Sequence, residues 1–219
     1  MNDSPRFPRH FLVVIPLVSI ALWIGGCSQK TDQKAAENPQ AQQNLSTITN
    51  LQTAYGDEMK HVLWYERFAK QAQKEGLSEL TLLFRALSRS EQVHVDNAAR
   101  LLKSRNVEPL TPTIDSIPPG KARQYLKMSA STENVEQNMY AGFADVAKKE
   151  QFTEAEEWFD IALRAEQRHG RLLKRAVDME INFARLPYVM CPDCGYIIGS
   201  DNIEECPICK APKSKFQKI

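Results

Sequence analysis

Four stretches of the chain place apolar residues at spacings of three and four, the pattern of amphipathic α-helices. The first predicts a helix over residues 47–75, closed by Gly76, with its stripe on Leu51, Ala54, Tyr55, Val62, Tyr65, Ala69 and Ala72. A second starts at Ser78, a favourable N-cap residue, and runs to about Arg105 along Leu80, Leu83, Phe84, Leu87, Ala98 and Leu101. Residues 106–120 hold Pro109, Pro112, Pro118 and Pro119 and cannot be helix, but they are long enough to cross a bundle. A third helix is predicted from about Lys121 to Glu150, where two stripes compete. One is Met128, Thr132, Val135, Met139, Gly142 and Val146; the other is Leu126, Ala130, Glu133, Tyr140, Ala144 and Ala147. The fourth opens on Thr153-Glu154-Ala155-Glu156, a capping box, and runs to about Phe183 along Ala155, Phe159, Ala162, Leu173 and Ala176.

Charged residues interrupt these stripes in a repeated way. Glu58 falls on the first stripe, Glu91 and His94 on the second, Glu166 and His169 on the fourth. Phe84 maps to Phe159, Glu91 to Glu166 and His94 to His169 at an offset of 75 residues, and Tyr65 to Tyr140 and Glu58 to Glu133 at the same offset. Each Glu-x-x-His pair follows its upstream Glu by 33 residues. A duplicated helix hairpin is the simplest account, and it selects the stripe of helix three that contains Glu133. Glu and His three apart stack on one helix face and can reach one metal ion. A carboxylate on a buried face is costly unless it is paired or coordinates a metal. Two such helices, with a Glu from each of two others, provide the carboxylate–imidazole set of a two-metal site in a four-helix bundle. Glu136, one turn beyond Glu133, is a candidate extra carboxylate; its repeat partner is His61, one turn beyond Glu58.

The two ends carry different signals. Arg6, Arg9 and His10 precede an apolar run from Phe11 to Ile24, too short for a membrane span, so residues 1–26 read as an export signal. Ile24-Gly25-Gly26-Cys27 resembles the lipobox of bacterial lipoproteins and makes Cys27 the expected lipidation site, with a plain signal peptide or signal anchor as alternatives. This implies an exported lipoprotein held at the membrane, facing the periplasm or cell exterior. Residues 27–48 have almost no large apolar side chain and read as a flexible tether. Cys191, Cys194, Cys206 and Cys209 form two Cys-x-x-Cys knuckles, a pattern that points to a tetrahedral thiolate metal site, iron or zinc, with disulfides as the alternative. A formal net charge of +1 over 219 residues excludes the basic footprint of a nucleic-acid binder.

Taken together, residues 49–219 resemble rubrerythrin, a ferritin-like di-iron bundle followed by a rubredoxin-like module. The resemblance rests on Asn50-Leu51-Gln52-Thr53-Ala54-Tyr55 leading to Glu58, on Ser90-Glu91-Gln92-Val93-His94, Met139-Tyr140 and Ala165-Glu166-Gln167-Arg168-His169. It also rests on Cys191-Pro192-Asp193-Cys194-Gly195-Tyr196 and Cys206-Pro207-Ile208-Cys209-Lys210-Ala211-Pro212-Lys213. An all-α four-helix bundle over residues 49–183 and a small metal-knuckle domain over 187–219 are therefore expected. The resemblance implies two irons held by Glu58, Glu91, His94, Glu133, Glu166 and His169, with Glu136 as a further ligand, and one iron, or zinc, on the four cysteines. Tyr65 and Tyr140, each seven residues after a ligand Glu, are the candidate catalytic residues, placed to hydrogen-bond the carboxylates. The implied activity is reduction of hydrogen peroxide with electrons from an unidentified donor, in defence against oxidative stress. Because one bundle should keep the two centres far apart, the resemblance implies a head-to-tail homodimer. Ferroxidase or iron-handling activity, and a non-enzymatic zinc-knuckle protein of the envelope, are the alternatives. In two respects the chain departs from the family pattern: an ungapped match places Thr132 and Val135 where the family has its helix-three carboxylates, and the export signal contrasts with the cytoplasmic location usual for the family.

Overall fold

The computed structural model describes residues 44–114, 116–179, 188–199 and 203–219. The leader, Cys27 and most of the tether lie outside the described residues. Helix α1 spans Leu45–Lys74, α2 Ser78–Ser104, α3 Ala122–Lys149 and α4 Thr153–Asp178. The helices pair as two hairpins, α1 with α2 and α3 with α4, and the hairpins pack through α1 on α3 and α2 on α4. A small antiparallel sheet follows, with β1 (Val189–Met190) between β2 (Ile197–Ile198) and β3 (Gln217–Lys218), and a 3₁₀ turn at Lys213–Lys215.

The duplication extends into the turns. Leu77 N–H bonds Ala72 O at 2.9 Å in the first hairpin, and Phe152 N–H bonds Ala147 O at 2.9 Å in the second. These are the six-to-one bonds of a Schellman stop, with left-handed Gly76 (φ 71°) and Gln151 (φ 57°) at equivalent places. The expected caps at Ser78 and Thr153 are not used: Leu77 and Phe152 occupy the cap positions, and neither helix start has a side-chain cap bond. The reason lies in the tightness of the turn, which carries an apolar residue into the end of the core; Phe152 is fully buried and Leu77 packs against the core.

Capping is instead supplied across the hairpins. Glu150, at the end of α3, accepts from Ser46 N at 3.2 Å and Thr47 N at 2.9 Å, covering the open amides of α1. Its repeat mate Glu75, at the end of α1, accepts from Ala122 N at 3.2 Å, covering those of α3. Each hairpin therefore anchors the other by satisfying helix-terminal donors that have no partner within their own helix. The long crossover between α2 and α3 runs outside the bundle and is pinned by Gln52, which bonds Glu108 O and Leu110 N, and by Tyr125 Oη on Pro118 O.

Two apolar clusters form the core, and on every helix the expected ligands lie between them. On α1 the order is Ile48, Leu51 and Ala54, then Glu58, then Tyr65, Phe68 and Ala72. On α2 it is Leu80, Leu83, Phe84 and Leu87, then Glu91 and His94, then Ala98, Leu101 and Leu102. Helix α3 is continuous α-helix and buries the stripe that carries Glu133 (1 % exposed) and Glu136 (6 % exposed), while Val135 is 67 % exposed.

Because each reciprocal cap satisfies main-chain donors of the opposite hairpin, Glu75→Ala and Glu150→Ala are each expected to cost about 1 kcal/mol of stability. Urea unfolding of the metal-free protein would read this as a lower midpoint with an unchanged slope.

Candidate metal centres

Between the two apolar clusters, five glutamates and three histidines converge. Glu58, Glu91, His94 and Glu166 form one group of potential ligands and Glu91, Glu133, Glu166 and His169 a second, each with its ligand atoms within 4.8 Å of one another. Glu91 and Glu166, the two Glu-x-x-His carboxylates, belong to both groups and could serve both cations. His94 Nδ1 lies 2.9 Å from Glu166 Oε1 and 3.5 Å from Glu58 Oε1; His169 Nδ1 lies 2.9 Å from Glu166 Oε2 and 3.3 Å from Glu91 Oε1. Glu58, Glu91, Glu133, Glu166, His94 and His169 are each at most 1 % exposed.

The remaining expected residues stand around this core. Tyr140 Oη donates to Glu58 Oε1, and Tyr65 Oη donates to Glu133 Oε1 at 2.7 Å. Each tyrosine thus orients a carboxylate of the opposite hairpin. Glu136 is in neither ligand group; its Oε1 lies 2.6 Å from His61 Nδ1, so the structure pairs these two repeat-related residues across the bundle.

The electrostatics show how poorly such a cluster tolerates its own charge. Burial, then repulsion from Glu91 and Glu166, pushes the Glu58 carboxyl up to about 8. Burial and Glu166 likewise hold Glu133 well above the ordinary range. Burial also opposes ionisation of Glu166, but His169 and His94 outweigh it and hold that carboxyl low. Against burial, Glu58 and Glu166 keep the His94 imidazole charged, and Glu91 and Glu166 do the same for His169. Glu58 Oε2, both Glu91 oxygens, Glu133 Oε2, Glu166 Oε1 and His94 Nδ1 are buried without a hydrogen bond among the described residues. These unsatisfied atoms belong to ligand sets that each gather within 4.8 Å. Hard oxygen and imidazole donors in that arrangement suit two divalent cations, which would neutralise the carboxylates.

The second centre is made by the knuckles. The Cys191–Cys209 and Cys194–Cys206 sulfur pairs are each 3.5 Å apart, far beyond the ~2.05 Å of a disulfide, and all four cysteines are free. Their Sγ atoms lie within 4.8 Å of one another, a thiolate set for one tetrahedral metal. The thiols cannot all ionise unaided: hydrogen bonds from Cys191 and Cys194 pull Cys206 down to about 2, while those with Cys191 and Cys206 drive Cys194 up.

The expected distance between the centres does not hold. Cys194 O lies 3.3 Å from His94 Nε2, within the same chain. Tyr188 and Ile197 enter the apolar cluster that contains Leu172 and Leu173 of α4, and this seats the module against the ligand helices. Main-chain carbonyls of the module then accept from Arg89 (Lys218 O), Asn97 (Asp193 O), Arg164 (Pro207 O) and Arg168 (Ile197 O), all at 3.0–3.3 Å. No partner copy is needed to bring the centres together.

Sequence reasoning missed Ser90 and Gly195. Ser90 Oγ contacts both His169 Nε2 and Gly195 O, and a Cβ on Gly195 (φ 77°) would lie 2.8 Å from His94 Nε2. One signal was available: within the duplicated motif, Ser90 faces Ala165 at the repeat offset, a polar residue where the other copy has none.

Comparison with known proteins agrees with this architecture. The rubrerythrin family model matches residues 49–177, and the rubrerythrin rubredoxin-like domain matches residues 190–217. Rubrerythrin-2 of Clostridium acetobutylicum is 30 % identical over 192 residues, covering 80 % of this chain and 97 % of that protein. Nigerythrin of Nitratidesulfovibrio vulgaris is 30 % identical over 173 residues, covering 78 % of this chain and 85 % of that protein. The solved structure of nigerythrin in a mixed-valence state superposes with a TM-score of 0.72 at 27 % identity, covering 86 % of this chain and 90 % of that one. A bacterioferritin structure from Desulfovibrio desulfuricans, at 20 % identity and TM-score 0.62, shares the bundle fold.

Metal uptake by the metal-free bundle must displace protons. Glu58 holds its proton below about pH 8, so cation binding releases that proton at pH 7 but not above pH 9. Apparent affinity should rise about tenfold per pH unit for each proton displaced, and the Glu58 contribution should level off near pH 8. Calorimetry in buffers of different ionisation enthalpy would count the protons.

Proposed function

The chain belongs to the rubrerythrin family, and from that premise we propose that it is a di-iron peroxidase, reducing hydrogen peroxide with electrons relayed through its four-cysteine iron. The observation that carries the proposal is the seating of a one-electron centre directly on a two-metal centre, with the Cys194 carbonyl 3.3 Å from His94 Nε2. Conversion of peroxide to two waters takes two electrons and two protons, and a rubredoxin-type iron passes electrons one at a time at nearly constant geometry.

We assign Glu58, Glu91, His94, Glu133, Glu166 and His169 to the two irons, with Glu136 as a further ligand, and Cys191, Cys194, Cys206 and Cys209 to the third iron. When bound, the iron pair supplies two electrons and open positions for the peroxide oxygens. The side chains do the rest. Glu91 and Glu166, shared by both ligand groups, would each contribute to holding both irons. Burial, then the neighbouring Glu58 and Glu133, keep Tyr140 and Tyr65 protonated, so both phenols remain donors that orient those carboxylates. The apolar layers on either side exclude bulk water from the reacting oxygens. His94 Nε2–H, bonded to the Cys194 carbonyl, would link a cysteine that holds the third iron directly to a bundle ligand.

The N-terminal pattern supports a location at the membrane. Arg6, Arg9 and the apolar run before Gly25-Gly26-Cys27 precede the family region, which begins at residue 49. We propose that the chain is exported and anchored through lipid on Cys27, with the following polar residues as a tether. An exported chain has to draw electrons from a donor of its own compartment.

Two outcomes are expected. Anaerobically reduced, iron-loaded protein should consume peroxide repeatedly with a chemical reductant. A Cys206→Ser variant should retain single-turnover peroxide consumption but lose turnover driven through the cysteine iron. Oxidation and accumulation of added ferrous iron without peroxide turnover would instead identify an iron-handling protein. Separately, Cys27→Ser should abolish fatty-acid labelling of the chain in cells, and retained labelling would remove the lipid anchor.

A further inference from the structure

Both ligand imidazoles turn their outer nitrogen to the four-cysteine knuckle, by different routes. His94 Nε2 meets the carbonyl of Cys194 at 3.3 Å. His169 Nε2 stops 2.8 Å from Ser90 Oγ, and the Ser90 hydroxyl donates onward to Gly195 O at 2.5 Å. A carbonyl can only accept, so His94 carries its hydrogen on Nε2. Ser90 has one hydrogen, engaged by Gly195, so its oxygen must accept from His169 Nε2–H. Both rings are therefore held with the outer nitrogen protonated, and both present Nδ1 to the carboxylates, 2.9 Å from Glu166 in each case.

The hydroxyl is not required for packing. Ser90 is fully buried, and its repeat mate Ala165 is fully buried at the equivalent place on α4. A small side chain satisfies the helix contact in both copies, and the hydroxyl appears only where the knuckle lies against the helix. With no exposure at Ser90, water has no ready access to replace it.

We propose that Ser90 is a positioning residue which carries the knuckle's main chain to His169, so that seating of the cysteine module sets the metal-binding form of both imidazoles. His169 belongs to one ligand group and His94 to the other, so loss of the hydroxyl acts on one metal position alone. By linkage, filling the bundle tightens the module's seat as much as the seat favours filling. This inference rests on the two bundle metal positions and does not depend on peroxide being the oxidant.

The test is a cobalt titration of the full chain with zinc already on the four cysteines, followed by its visible bands. Ser90→Ala should weaken one of the two bundle cobalt ions by about 10- to 100-fold, the usual effect of removing a ligand's outer hydrogen-bond partner, and leave the other unchanged. Gly195→Ala, whose Cβ would press on His94 Nε2 at 2.8 Å and Ser90 Oγ at 2.9 Å, should weaken both. A second readout is independent of affinity. The chain has only 4 histidines, so ¹⁵N-histidine labelling of the zinc-loaded protein should resolve a slowly exchanging His169 Nε2–H that Ser90→Ala exposes to exchange. Equal weakening of both cobalt ions by Ser90→Ala, no weakening at all, or a His169 Nε2–H unaffected by the substitution would each overturn the proposal.

Discussion

The structure depends on one electrostatic constraint: five carboxylates and three imidazoles occupy a dry layer in the middle of a helical bundle. Left alone, such a layer resolves its repulsion with protons, and Glu58 and Glu133 are accordingly pushed toward the neutral form while Glu91 and Glu166 stay ionised beside His94 and His169. Two divalent cations resolve it differently, by replacing those protons with charge that every ligand can share. Metal loading and protonation are thus two solutions of the same problem, and folding must tolerate the layer in either state.

That tolerance comes from how the apolar surface is divided. Each helix buries aliphatic and aromatic residues above and below its ligands, so the polar layer is clamped between two cores. The hairpin turns repeat each other bond for bond, and Glu75 and Glu150 each close the helix start of the opposite hairpin. The tyrosines continue the exchange, since Tyr65 of α1 reaches Glu133 on α3 and Tyr140 of α3 reaches Glu58 on α1. The ligands are therefore positioned from both hairpins at once, and displacement of one hairpin would disturb both metal positions.

The cysteine module adds main-chain groups to this frame. Its carbonyls accept from arginines, an asparagine, a histidine and a serine on α2 and α4, and left-handed Gly195 permits the close approach, because any side chain there would strike His94 and Ser90. A contact made of carbonyl acceptors is well suited to fixing imidazole tautomers, since a carbonyl cannot act as the donor. Electron relay and metal-ligand geometry thus share the same few atoms.

Much of this was legible along the chain. Helical periodicity, the 75-residue offset and the spacing of Glu-x-x-His and Cys-x-x-Cys are local patterns, and they determined the bundle, the ligand types and the thiolate site. Helix three shows the limit of such patterns. Its two stripes are nearly equal in apolar content, so periodicity alone does not separate them; the repeat selects the one with Glu133, and packing against α1 and α4 buries Glu133 and Glu136 and leaves Val135 in solvent. The pairing of His61 with Glu136, the caps from Glu75 and Glu150, and the bridge from His169 through Ser90 to Gly195 join residues 47 to 105 positions apart. Such contacts leave almost no periodic trace, because each is a single meeting of two surfaces. Where the chain itself spaced two groups, the sequence was sufficient; where the meeting depended on how hairpins and module came to rest on one another, only the folded structure decided it.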